Sequence, residues 1–501
     1  MSRKRISGDI PSLGIIDRAA GQVGQQLASR LREVIKKGEL KPGERLPSTR
    51  ALASSLGVAR ATTVEVFDQL VAEGYLEAHV GAGTRVAQAL ACNSILWPDL
   101  VSGLDSVRVK LPPKAVRYAA IARSLTPQPV APFSIAVATG AVAPDDNWRR
   151  LGNRIRATRA AAPASYGDPR GLVELRAAIA EYVRKSRGVT CEARQIIITE
   201  GAQQGLYLAA RVLLESGDSV WAENPAYPGL TAVLGDCDIR IHRVSVDQLG
   251  IDVARGIVAS PKARAAFVTP SHQYPLGMPL SMSRRTALLS WARANGSWIV
   301  EDDYDSELRY AGRPFPSLQG MDPTRVVYLG TFSKVLFPAL RLGYAIVPEP
   351  LVEAFVGARA LMDRHSPTVD QHVLAAFMRE GYFETHIRRI RSIYAARRAA
   401  LVAAIGKELS PWVSLQPSDQ GMHLIIWLRS GIDDIQLAAL AEAAGVVVRA
   451  ISSMYAGKNR RSGLMLGFGG FPADQLEAAV GRLRAVLEAT TCCTIGRRWE
   501  F

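Results

Sequence analysis

The chain predicts two joined folds: a small three-helix module closed by a hairpin, and a large α/β domain with a mostly parallel sheet and a smaller α+β lobe. Three observations predict this. At 501 residues the chain is too long for one hydrophobic core. Its first ninety residues show helical periodicity broken by tight Gly and Pro turns. From Phe133 onward, short β-branched runs alternate with helical stretches.

Composition narrows the class. Hydrophobic residues make up 48%, enough for extensive burial and against global disorder. No uninterrupted apolar run is long enough to span a bilayer, and Met1-Ser2-Arg3-Lys4-Arg5 has no apolar stretch behind it. Both point to a cytoplasmic protein without a membrane partner. Cys92, Cys191 and Cys237 are isolated, and Cys492-Cys493 have no histidine pair at ligand spacing. Reduced thiols and no metal site are the expectation. The net charge of +15 favours polyanionic partners without naming one. Residues 1–90 hold 13 Lys+Arg against 9 Asp+Glu, so most of the excess lies further on.

Residues 1–19 are polar with scattered Gly and Pro, a flexible arm. In residues 20–88, Leu27, Leu31, Val34 and Ile35 share one helix face. A turn-rich loop, Leu40 to Pro47, follows. Ser48 is an N-cap for a second helix carrying Leu52 and Leu56, with Gly57 as its stop. A third helix starts at Arg60 and is expected to bury Val64, Phe67, Leu70 and Val71. Two short helices across a Gly-containing turn are a helix-turn-helix signature. The third helix would then enter the major groove with Arg60, Thr62 and Thr63 near its start. Tyr75–Val80 and Thr84–Ala87 flank Gly81-Ala82-Gly83 as a hairpin, or wing, with Arg85, Gly81 and Gly83 able to approach a DNA backbone.

Residues 89–132 read as a Pro-containing linker. Arg108, Lys110, Lys114, Arg117 and Arg123 make it basic, fit to track a DNA backbone or to act as a solvated spacer, with a short helix around Val116 to Leu125. Residues 133–488 form the large domain and 489–501 a tail. Its strands include Gln195–Thr199, Ser219–Trp221, Ala266–Thr269, Ser297–Val300, Val326–Leu329 and Tyr344–Val347. From about residue 370 a smaller lobe begins. Its long helix carries His386, Arg388, Arg389, Arg391, Arg397 and Arg398, which reads as a solvated face or as a supplementary contact to DNA or another domain.

Four segments bear chemistry. Thr199-Glu200-Gly201-Ala202-Gln203 follows a strand and opens a helix, whose amides and dipole suit a phosphate. Tyr227, in Glu223-Asn224-Pro225-Ala226-Tyr227, can stack on a flat heterocycle. In Glu301-Asp302-Asp303-Tyr304 a carboxylate at a strand end can pair with a protonated ring nitrogen, and Tyr304 adds a hydroxyl. In Gly330-Thr331-Phe332-Ser333-Lys334, Lys334 supplies an amine, while Thr331, Ser333 and the following Arg341 supply phosphate donors. An amine, a pyridinium partner, a stacking ring and a phosphate cup together specify pyridoxal 5′-phosphate.

The N-terminal run resembles the GntR type of winged helix-turn-helix. The motifs are Leu46-Pro47-Ser48-Thr49-Arg50, Leu56-Gly57-Val58-Ala59-Arg60, Glu73-Gly74-Tyr75-Leu76 and Gly81-Ala82-Gly83-Thr84. That resemblance implies operator contacts by Arg45, Ser48, Arg50, Arg60, Thr62, Gly81 and Gly83. The remainder resembles a fold type I aminotransferase domain through Tyr166-Gly167-Asp168-Pro169-Arg170-Gly171, Pro270-Ser271-His272-Gln273-Tyr274-Pro275-Leu276-Gly277, Glu301 to Glu307 and Gly330 to Lys334. The whole chain is thus similar to the MocR/GabR subfamily of GntR regulators. The resemblance implies an aldimine on Lys334, Asp302 on the ring nitrogen, Tyr304 at the ring oxygen, and phosphate held by Arg341, Ser333 and the Gly201-Ala202-Gln203 turn. It also implies a homodimer, operator DNA as partner, and pyridoxal phosphate or an amine or amino acid as effector. Either Gln273 or Tyr274 falls where aminotransferases contact the ring. The run Leu466 to Phe471 departs from the family by lacking the arginine that grips a substrate carboxylate, and Arg449 is not its evident equivalent. The expectation is a pyridoxal-phosphate-dependent regulator; the alternatives are an aminotransferase with an appended DNA-binding domain, and a DNA-binding protein whose large domain only dimerises.

Overall fold

The computed structural model describes residues 16–17, 21–79, 83–89, 111–135, 137, 143–312 and 315–496. The chain divides into two compact units between Pro113 and Lys114.

The first unit is built from α1 (Val23–Lys36), α2 (Thr49–Leu56), α3 (Arg60–Ala72), β1 (Leu76–His79) and β2 (Gly83–Val86). The Ser48 hydroxyl accepts from the Ala51 amide at 3.2 Å and starts α2. Gly57, at φ +64°, ends it in the left-handed region where a side chain is disfavoured. Leu27, Leu31, Val34, Leu52, Phe67, Leu70, Leu76 and Val86 form the core. The buried face of α3 differs from the sequence expectation. Thr63, Val66, Phe67 and Leu70 turn inward, while Val64 is exposed. Starting the helical period at Arg60 phases i, i+3, i+4 and i+7 from Thr63 rather than Val64. Arg60, Ala61, Val64, Glu65 and Asp68 then share the outer face. β1 and β2 pair antiparallel from Leu76↔Val86 to His79↔Gly83.

The second unit holds an eight-stranded sheet in the order β3-β10-β9-β8-β7-β4-β5-β6. Its strands are β3 (Ile196–Thr199), β4 (Ser219–Asn224), β5 (Arg240–Asp247), β6 (Gly250–Ile251), β7 (Ala265–Val268), β8 (Trp298–Asp303), β9 (Val326–Thr331) and β10 (Gly343–Ile346). The strands from β5 through β4, β7 and β8 to β9 are parallel; β10 runs against both β3 and β9. A parallel partner needs a crossover of a dozen or more residues, usually helical. The segment between β9 and β10 has only a short 3₁₀ turn, Pro338–Leu340, so the chain returns antiparallel and hangs Lys334 from the tight connection. Glycines allow the closeness: a Cβ on Gly343 would lie 2.8 Å from the Gly201 Cα and from the Gly330 carbonyl oxygen. The β3 end, the β9 end and the lysine loop are thereby packed backbone to backbone.

A four-stranded antiparallel sheet, β11-β12-β14-β13, builds the smaller lobe from β11 (Val413–Gln416), β12 (His423–Leu428), β13 (Arg449–Ala450) and β14 (Gly463–Gly467). The last helix, Ala473–Gly496, runs past residue 488. A helix, Pro113–Ser124, occupies part of the stretch read as a linker, and there Lys114 and Arg117 pair with Asp236 and Asp238 at 3.6 and 3.2 Å. Those two cations are engaged within the unit rather than free for a DNA backbone. The long basic helix, Tyr382–Glu408, likewise departs from a solvated face. Arg389 bonds the Ala143 carbonyl, Arg391 that of Glu307, Arg397 that of Gly469 and Arg398 that of Ser418. His386 bonds the Val335 carbonyl at 2.6 Å, one residue beyond Lys334. These side chains clamp backbone acceptors that burial would otherwise leave without donors. Among the described residues no helix is long and apolar enough to cross a membrane.

Candidate functional site

Lys334, Asp302, Tyr227, Tyr304 and the Gly201 turn come from four separate segments at the carboxyl ends of β3, β4, β8 and β9, where open α/β sheets place ligands. Strand alternation sorts the acids of β8. Glu301 accepts the Leu318 and Gln319 amides at 3.1 and 3.0 Å, and Asp303 takes an ion pair from Arg187 at 2.8 Å with hydroxyls of Tyr328 and Ser306 at 2.6 and 2.8 Å. Asp302 points the other way, into the field of Lys334. Burial, then Asp303, pushes the Asp302 carboxyl up to about 7, and Lys334 opposes the shift. Burial lowers the Lys334 ammonium from its ordinary value, against the support of Asp305 and Asp302, so less charge holds its amine back from acting as a nucleophile.

The residues fit pyridoxal 5′-phosphate. Asp302 Oδ1 is buried and has no hydrogen-bond partner within the described protein, and a protonated ring nitrogen would supply both donor and charge. Ser333 Oγ and Gln203 Oε1 are also buried without partners. Gly201, at φ +85°, turns the chain into the helix Ala202–Leu213, so the first amides of Ala202 and Gln203 lie at a helix N-terminus. The Arg341 guanidinium lies over Gly201, 3.4 Å from where a Cβ would stand, and bonds the Glu200 carbonyl. Thr331 Oγ1 accepts from the Ser333 amide at 3.2 Å and shapes the same loop. A phosphate would be met by this turn, Ser333 and Arg341. Tyr227 packs edge-on to Tyr274 at 5.6 Å, and Tyr274 edge-on to Tyr304 at 5.8 Å. The aromatic rings required for a flat heterocycle are therefore assembled around the lysine.

Packing separates Gln273 from Tyr274. The Gln273 amide is turned into the core, donating to Glu223 at 3.1 Å and the Pro225 carbonyl at 3.0 Å. Tyr274 joins the ring cluster, where Arg449 opposes the upward push of burial on its hydroxyl. Arg449 itself was not legible as a site residue. It sits on β13 directly across from Met465 of β14, the strand whose sequence lacks the expected arginine. Its charge acts on Lys334, Tyr227 and Tyr274. Its guanidinium is held by Gln128 Oε1 at 3.2 and 3.3 Å, while the Gln128 amide donates to the Val448 carbonyl. His272 and Asp305 are the other groups missed. The motif containing His272 was visible, but nothing in spacing told which of its side chains turns inward.

In the first unit, Arg50 and Arg60 are exposed at the starts of α2 and α3. The exposed Arg45 pairs its backbone with Arg85 and lays its guanidinium against Gly83, 3.0 Å from where a Cβ would stand. That places Arg45 on the wing. Ser48 is occupied as a helix cap, Thr62 is half-buried beside Gly24, and Thr63 is fully buried rather than facing outward. Gly81 lies outside the described residues.

The family described as "Bacterial regulatory proteins, gntR family" matches residues 23–86, and "Aminotransferase class I and II" matches residues 137–483. The chain is 36% identical to the "Probable rhizopine catabolism regulatory protein MocR" of Rhizobium meliloti, covering 95% of this chain and 96% of that protein. It is 34% identical to the pyridoxine biosynthesis transcriptional regulator PdxR of Corynebacterium glutamicum, over 90% and 93% of the two chains. The solved α-aminoadipate aminotransferase LysN of Thermus thermophilus has the same fold, with a TM-score of 0.70 and 24% identity over 76% of this chain and 98% of its own. Fold and site define a DNA-binding transcriptional regulator built on a pyridoxal-phosphate-binding aminotransferase domain. The chain belongs to the MocR/GabR subfamily of GntR regulators.

Two outcomes test these assignments. Asp302→Asn is expected to weaken cofactor binding yet stabilise the cofactor-free protein in a pH-dependent way. The folded pKa of Asp302, about 7, exceeds its unfolded value, so stability is full at low pH and declines as pH rises toward 7. The gain from Asn should therefore grow between pH 4 and 7 and level off above, reaching at most about 4 kcal/mol in paired melting curves. Arg60→Ala should weaken operator binding by about tenfold or more in a gel-shift titration while cofactor uptake is unchanged.

Proposed function

We propose that this regulator senses a small amino compound through pyridoxal 5′-phosphate joined to Lys334, and that exchange at this lysine changes operator binding by a homodimer in the cytoplasm. Bound there, the cofactor supplies an aldehyde carbon open to exchange between amines. Burial lowers the basicity of the Lys334 amine, which would let this side chain give way to an effector amine as a neutral group. The Gly201 turn, Ser333 and Arg341 hold the phosphate, Asp302 the ring nitrogen, Tyr227 a ring face and Tyr304 the ring oxygen.

One observation carries the proposal further than cofactor binding. Arg449 acts on Lys334 and Tyr274 from one side and bonds Gln128 on the other. An effector bearing a carboxylate or similar anion would bond the same guanidinium and compete with Gln128 for it. Gln128 follows the helix Pro113–Ser124 that begins at the boundary with the DNA-binding unit. Different affinity for effector in the two arrangements would then shift the balance between them, as linkage requires. Two heads in a dimer would bind paired half-sites by avidity.

The test is operator binding by the purified protein to DNA flanking its own gene, with pyridoxal phosphate and then with a panel of amino compounds. Wild type should change its affinity with at least one anionic amino compound. Lys334→Ala should lose the borohydride-reducible adduct and the response together. Arg449→Ala should keep the adduct and lose the response to anionic compounds by about tenfold or more. An adduct surviving in Lys334→Ala, or operator binding indifferent to cofactor and every amine, overturns the reading.

A further inference from the structure

His272 is buried beside the lysine site and has no part in cofactor binding as described above. Its ring lies between two glycines: a Cβ on Gly421 would stand 2.0 Å from its Cε1, and one on Gly277 3.1 Å from its Nε2. Its Nδ1 is 2.9 and 3.1 Å from the two Asp305 oxygens and 3.0 Å from the Tyr304 hydroxyl. Its Nε2 is buried with no partner among the described residues. The titratable groups around it are Asp305 and Tyr304 from the loop after β8, and His423 from β12, with ring centroids 5.1 Å apart. Lys334 lies within electrostatic reach of both His423 and Asp305.

These contacts select one tautomer. With its hydrogen on Nδ1, His272 donates to Asp305 and leaves only an acceptor, Nε2, unpaired. With its hydrogen on Nε2, a lone pair would face the Asp305 carboxylate and a buried N–H would be left without an acceptor, the costlier arrangement. The first tautomer has a consequence for Tyr304. A nitrogen that carries a hydrogen cannot accept the tyrosine proton, so the hydroxyl is free to donate on its other side.

We propose that His272 and Asp305 are positioning residues for Tyr304: the carboxylate holds the imidazole hydrogen on Nδ1, and the tyrosine proton is thereby directed toward the ring oxygen of the cofactor. This rests on the reading that Tyr304 faces that oxygen. A donor there stabilises the oxygen as an anion and so sets the pH at which the lysine-linked chromophore takes up its proton.

The experiment is a pH titration of the visible absorption of the loaded full-length protein. Tyr304→Phe should raise the midpoint, because the donor is gone. His272→Asn keeps a donor for Asp305 but offers an oxygen that takes the tyrosine proton back. It should raise the midpoint in the same direction, on the order of one pH unit. Adding His272→Asn to Tyr304→Phe should shift the midpoint little further. If His272→Asn does not fold, His272→Gln keeps the same donor and carries the same expectation. A midpoint moved by Tyr304→Phe but not by the His272 variant overturns the positioning role alone. A His272 effect undiminished in the Tyr304→Phe background also overturns it. A midpoint indifferent to Tyr304→Phe overturns the placement of Tyr304 and, with it, this proposal.

Discussion

Five acids within seven residues, Glu301, Asp302, Asp303, Asp305 and Glu307, crowd the end of β8 and its loop inside the large unit. Buried carboxylates are costly unless each finds a partner, and the surroundings are arranged to supply them. Glu301 receives two backbone amides, Asp303 the buried Arg187 and two hydroxyls, and Asp305 the His272 ring. Burial still pushes the carboxyls of Glu301 and Glu307 up to about 7. Asp302 and Asp303 each keep one buried oxygen without a partner among the described residues, and of the two Asp302 is the one in the field of Lys334.

The same logic explains the lysine loop. Antiparallel return of β10, made necessary by a connection too short for a crossover, brings Arg341 back beside Gly201 and sets Lys334 across from β8. His386 of the long helix Tyr382–Glu408 then bonds the Val335 carbonyl within the loop. A helix carrying seven basic or histidine residues looks solvated as a string, but long arginine side chains reach inward as readily as outward.

Legibility followed the range of the interactions. Local chemistry was readable: the Ser48 cap, the Gly57 stop, the α1 face from Leu27 to Ile35 and the four cofactor segments each depend on neighbours a few residues away. The inward face of α3 was misjudged by one position because Val64 looks more apolar than Thr63, whereas helical phase from Arg60 decides. Arg449 was unreadable because its relevance comes from strand pairing with Met465 and from Gln128, 321 residues earlier in the chain. Gln273 and Tyr274 are adjacent, and only the bonds to Glu223 and Pro225 show that it is the Gln273 amide that turns into the core.

By itself the sequence determined the class of protein: a winged helix-turn-helix joined to a pyridoxal-phosphate-binding aminotransferase domain, with a lysine after one buried strand and a carboxylate at the end of another. Those features rest on residue type and short spacing, which a string preserves. Tertiary structure alone decided which groups surround that lysine from a distance. The arginine on β13, its bond to Gln128, and the Asp305–His272–Tyr304 chain are joined by strand register and close packing across separate segments. Such contacts depend on where the backbone goes in space, and no spacing in the chain encodes them.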